Sequence, residues 1–72
     1  MNKEAHDKLI KCRSQLMSEN IGIASMLLHL KLVEDNSFDT MATDGVHIKY
    51  NADFTLSHTV EEIKGVLVHE AC

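Results

Sequence analysis

Apolar residues recur at helical spacing through the first part of the chain. Ala5, Leu9, Cys12 and Leu16 fall at i, i+4, i+7 and i+11, with Ile10 and Met17 beside them. Lys3, Glu4, Asp7, Lys8, Lys11 and Arg13 fill the other side. That pattern predicts an amphipathic helix over 3–18. Ser18-Glu19-Asn20 breaks it and offers capping side chains. Ile21 to Leu30 is then mostly apolar, which predicts a second, largely buried helix over about 21–29, with Gly22 near its start. Leu30-Lys31-Leu32-Val33 alternates and reads as a strand leaving that helix directly.

Glu34 to Asp39 is a polar turn around Phe38. Asp44-Gly45 follows, between Thr40-Met41-Ala42-Thr43 and Val46-His47-Ile48-Lys49-Tyr50. Asp-Gly between alternating runs is a strong hairpin signal. Val46, Ile48 and Tyr50 are expected to point inward, His47 and Lys49 outward to solvent. Asn51 to His58 reads as a short connection. Thr59 and Glu62 form a capping box, and a last helix runs from Val60 onward. Val60, Ile63, Leu67 and Ala71 share one face of it, flanked by Val66.

The expected fold is α+β, in one small domain spanning 1–72. It has two N-terminal helices, a three-stranded antiparallel sheet over about 30–34, 39–43 and 46–50, and a C-terminal helix packed on the sheet. The expected core is Leu9, Cys12, Leu16, Ile23, Leu27, Leu30, Leu32, Met41, Val46, Ile48, Phe54, Ile63, Val66 and Leu67.

Composition narrows the function classes. The chain has 72 residues, is 44% apolar and 25% charged, and contains no proline, which suits one globular unit without linkers. Its net charge of −4 and lack of basic clusters argue against nucleic acid and suit a protein partner with a basic surface. No apolar run approaches the roughly 20 residues of a membrane span. The polar start, Met1 to Lys11, is unlike a secretory signal. The expectation is a cytoplasmic protein with two reduced thiols, Cys12 and Cys72.

The chemistry-bearing segment is Gly65-Val66-Leu67-Val68-His69-Glu70-Ala71-Cys72. His-Glu on an apolar helix opens the zinc-peptidase motif His-Glu-x-x-His. There, two histidines one helical turn apart bind Zn²⁺ and the Glu activates the metal-bound water. Glu70 falls in the apolar sector of the wheel, where an unpaired carboxylate is costly. The bland alternative is that His69 and Glu70 sit on a solvated, fraying last turn. The other histidines, His6, His29, His47 and His58, are scattered, and His29 is expected to be a hydrogen-bonded residue of a buried helix. Cys12 lies on the apolar stripe and reads as a small core residue.

Several segments in order resemble the putative metallopeptidase domain family found with von Willebrand factor A-like domains. They are Leu28-His29-Leu30-Lys31-Leu32-Val33-Glu34-Asp35, Ala42-Thr43-Asp44-Gly45, Tyr50-Asn51-Ala52-Asp53-Phe54 and Glu61-Glu62-Ile63-Lys64-Gly65-Val66-Leu67-Val68-His69-Glu70. In that family the last stretch ends in a complete His-Glu-x-x-His. The resemblance implies a zincin-like start to the fold, with His69 as a zinc ligand and Glu70 as general base. The second His of the motif is not among the 72 residues, and a catalytic zinc takes three protein ligands. Cys72, at i+3 from His69, could offer only an improvised second ligand.

The expectation for these 72 residues is therefore a truncated relative acting as a small non-catalytic protein-binding or inhibitor module, a role small acidic domains of phage and mobile-element origin often take. No cofactor is then expected. The alternative is the N-terminal fragment of a zinc-dependent metallopeptidase whose motif is completed beyond residue 72. A homodimer is also expected, because a truncated domain leaves an apolar helix and a sheet face uncovered.

Overall fold

The structure, a computed structural model, describes residues 2–71. The element order is α1 (Lys3–Glu19), α2 (Ile21–His29), β1 (Lys31–Glu34), β2 (Met41–Thr43), β3 (His47–Tyr50), α3 (Ala52–Ser57) and α4 (Val60–Ala71). The α+β architecture expected from the sequence is present, with one further short helix and a different strand arrangement.

Asparagines set the helix boundaries. Asn2 Oδ1 accepts the backbone N–H of Ala5 at 3.0 Å and starts α1. The Asn20 N–H donates to Leu16 O at 2.8 Å and closes α1, while its Oδ1 accepts from Ile23 N at 3.3 Å and opens α2. One residue thus joins two helices without a loop. Gly22 makes room for it, since a Cβ there would stand 3.3 Å from Asn20 Oδ1. Asn51 repeats the device: its Oδ1 accepts from Phe54 N at 2.8 Å, turning the expected connection into α3.

The sheet order is β1-β3-β2. β2 and β3 form the expected antiparallel hairpin, with Met41 opposite Tyr50 and Thr43 opposite Ile48. β1, however, pairs with β3 in parallel, Lys31 opposite His47 and Glu34 opposite Tyr50, so the sheet is mixed rather than antiparallel. The physical reason is the path of the chain: β3, whose Ile48 and Tyr50 are almost fully buried, takes the centre, the segment 35–40 carries the chain past it to the far edge as β2, and the hairpin then returns it in the direction of β1. Lys31 N bonds to Val46 O and Asp35 N to Tyr50 O, extending the β1–β3 pairing at both ends.

One core holds the molecule. Leu9, Cys12, Leu27, Ile48, Tyr50, Ile63 and Leu67 are at most 1% exposed, and α1 packs against α2, α3 and α4. Ile23, Leu30, Leu32, Phe54 and Val66 flank this core half-buried. Val46 does not join it. It is 52% exposed, because it lies in the turn before β3 rather than in the strand. Nor is α2 a buried helix. Leu27 is its sole buried residue, while Ile21, Met26 and Leu28 are 86%, 48% and 64% exposed. His29 is accordingly an exposed residue and not a core histidine.

Candidate functional site

α4 is the helix that carries the candidate chemistry, and its first two turns are fixed in three ways. Thr59 N donates to Glu62 Oε1 at 2.8 Å and Glu62 N donates to Thr59 Oγ1 at 3.1 Å, the reciprocal capping box expected from the sequence. The backbone donation from Thr59 holds the Glu62 carboxyl below its ordinary range. Ile63 and Leu67 are fully buried against the rest of the core.

The third fixture is Lys64. It is 7% exposed and reaches Glu19 Oε1 at 2.7 Å, Glu61 Oε2 at 3.1 Å and Gln15 Oε1 at 3.4 Å. The bonds to Glu19 and Glu61 push the Lys64 ammonium pKa up. The lysine ties the end of α1 to the middle of α4. Sequence reasoning passed over it, although its place on α4 between Ile63 and Leu67 was a signal that it lies on the packed side.

Beyond Lys64 the helix runs into the half-motif. Val68 is half-buried, His69 is exposed, and Glu70 is half-buried in the last turn. The helix is thus anchored by one end and one face, and it holds His69 outward at the other end. Cys72, the improvised second ligand of the sequence reading, lies outside the described residues.

The remaining histidines do not gather around His69 to build a metal centre. His47 Nδ1 lies 3.1 Å from Asp44 Oδ2 in the hairpin turn. His58 stacks on Phe54 with ring centroids 4.2 Å apart, and its Nδ1 lies 2.8 Å from Phe54 O. The latter contact makes Nδ1 the protonated nitrogen, so it does not serve as a base toward the neighbouring Ser57 Oγ at 3.1 Å. Cys12 is buried, and burial pushes its thiol pKa up, away from the thiolate a metal requires. Among the described residues no group of three or more His, Cys, Asp or Glu side chains could hold a metal ion. Among them, too, no helix is long and apolar enough to cross a membrane.

The comparisons with known proteins add one match. A family model described as a putative metallopeptidase domain covers residues 4–72. No curated protein and no solved structure matches the chain.

Proposed function

This chain belongs to the putative metallopeptidase domain family, and we propose that it supplies the active-site helix of a zinc-peptidase-type site together with the framework that holds it. His69 is the first metal ligand of that site and Glu70 its general base. The observation that supports this reading is the placement of His69: an exposed side chain on the last turn of a helix whose preceding turns are buried on one face and tethered there. Rigid support of that kind suits a metal ligand, which must be held in position to bind.

A catalytic zinc takes three protein ligands and keeps one position open. Of the motif's metal ligands the described residues contribute His69 alone, so they do not by themselves make the site. Peptide hydrolysis requires the motif's second histidine one turn further on and a third ligand.

The test is metal binding. The 72-residue chain is compared with a version extended by a histidine directly after Cys72, using Co²⁺ absorption and zinc retained after dialysis. The extended chain is expected to bind at least tenfold more tightly, about 1.4 kcal/mol, and His69→Ala is expected to abolish the gain. An extended chain that binds no better, or whose gain survives His69→Ala, refutes the reading.

The exposed apolar residues of α2 favour a second reading, in which the 72 residues act as a non-catalytic protein-binding module for a partner. A photo-crosslinker at Leu28 is then expected to capture one defined partner protein, while one at the exposed Ser14 of α1 captures none. Equal capture at both positions counts against it.

A further inference from the structure

Several cations of this chain are already matched. Lys3 pairs with Asp7, Lys49 with Asp44, and Lys64 with Glu19 and Glu61. Lys8 is bound to the carbonyl oxygens of Leu56 and His58. Among the described residues Lys11, Arg13 and Lys31 have no carboxylate partner. Two of these three meet where α2 passes into β1. Arg13 reaches across from α1 and donates an N–H to Leu30 O at 3.4 Å. Lys31, the next residue, is exposed, and so is His29, the one before Leu30. The strand register sets Lys31 beside His47 of β3. Asp44, the carboxylate of the adjacent turn, is already engaged by the N–H groups of Val46 and His47, by the His47 ring and by Lys49. Val46 accepts the Lys31 N–H and, 52% exposed, gives this corner an apolar side.

We propose that this corner, formed by Arg13, Lys31 and Val46 with His29 at its edge, is the docking site for a short acidic segment of a protein partner, in which carboxylates stand beside an apolar side chain. Charge complementarity carries the proposal. A chain of net charge −4 favours basic surfaces over most of its extent, and at this corner the sign is locally reversed. The bond to Leu30 O holds the Arg13 guanidinium in place and uses one of its five N–H donors, which leaves a planar fork suited to a carboxylate. The same distribution of charge selects the class of partner. A nucleic-acid strand outruns two cations and meets exposed carboxylates such as Asp39, Asp53 and Glu61, whereas a segment of a few residues does not. The site involves neither His69 nor the apolar side of α2, so it stands or falls separately from both readings above.

The test is a titration of the isotope-labelled chain with an end-blocked hexapeptide of alternating glutamate and valine, followed by amide chemical shifts. Saturable binding is expected at low salt with a Kd of about 0.1–1 mM, weakening as salt rises. The shifts are expected to centre on Arg13, His29 to Lys31, and Val46 and His47. Lys31→Glu is expected to weaken binding roughly fivefold more than Lys11→Glu. Both lysines are exposed and both variants change the net charge equally, so the fold and the overall charge are held constant and only position differs. Shifts centred elsewhere overturn the proposal, as does an equal loss in the two variants or the absence of saturation at about 10 mM peptide. Equal binding of the lysine–valine hexapeptide overturns it in favour of apolar contact alone. Tighter binding of a thymidine hexanucleotide overturns it in favour of nucleic acid.

Discussion

Asp44 closes the β2–β3 turn by accepting N–H donations from His47 at 2.7 Å and Val46 at 2.9 Å, and its other oxygen lies beside the His47 ring. These bonds favour the ionised carboxylate and hold its pKa far below the usual range, the His47 N–H contributing most. Glu34 is lowered chiefly by the Asn2 N–H, Asp35 by Ser37, and Glu62 by Thr59. A carboxyl whose folded pKa is depressed contributes stability above its unfolded pKa and loses it as pH falls through the folded value. The urea midpoint is therefore expected to hold near neutrality and to drop progressively below about pH 5. Asp44→Asn should flatten that drop, and an unchanged slope would rule out the assignment. Gly45, beside it, has φ +89°, a conformation that charges any L side chain a steric penalty. Gly45→Ala is expected to cost about 1–2 kcal/mol, read as a fall in Tm of roughly 4–8 °C per kcal/mol. At this scale the sequence was readable: Asp-Gly named the turn, and Thr59 with Glu62 named the cap.

Single elements divide into those with one anchor and those with many. α2 is held by Leu27, fully buried, while Leu28 next to it faces out. Leu27→Ala is expected to lower stability by about 2–5 kcal/mol, and Leu28→Ala to stay within about 0.5 kcal/mol in dilute solution, both measured by urea unfolding. α4 is held at its start by the capping box, so Thr59→Ala should cost about 1 kcal/mol. Its tether, Lys64, has a raised pKa. Stability from that tether is present below the unfolded pKa of lysine and is lost as pH rises through the higher folded value. Lys64→Met should remove this alkaline loss, a difference visible by comparing melting curves at neutral and strongly alkaline pH. The helical spans of α1, α2 and α4 were legible from apolar spacing, but the burial of α2 was not. A run apolar all round reads as a buried helix, and periodicity says nothing about whether a neighbour exists to cover the outer side. α3 was missed because six residues are too few to show a helical period; Asn51 as a cap was the available signal.

Across the whole molecule, strand alternation identified the inward residues Ile48 and Tyr50 but not the order of strands. Alternation sets which face a side chain takes and carries no information about which strand lies beside it, so the parallel β1–β3 pairing was out of reach. The candidate site was legible as residues, since His69 and Glu70 were found from the motif and the family resemblance. Its support was only partly legible, because Lys64 depends on Glu19 and Gln15 from a distant helix. That dependence on distance runs through the fold. α1 packs on α3 and α4, and Lys8 of α1 reaches the carbonyl oxygens of Leu56 and His58, some fifty positions away. Closing α1 onto α3 and α4 therefore joins segments some fifty positions apart, so that docking is expected to lag behind the local packing of α1 on the adjacent α2 and to set the folding rate.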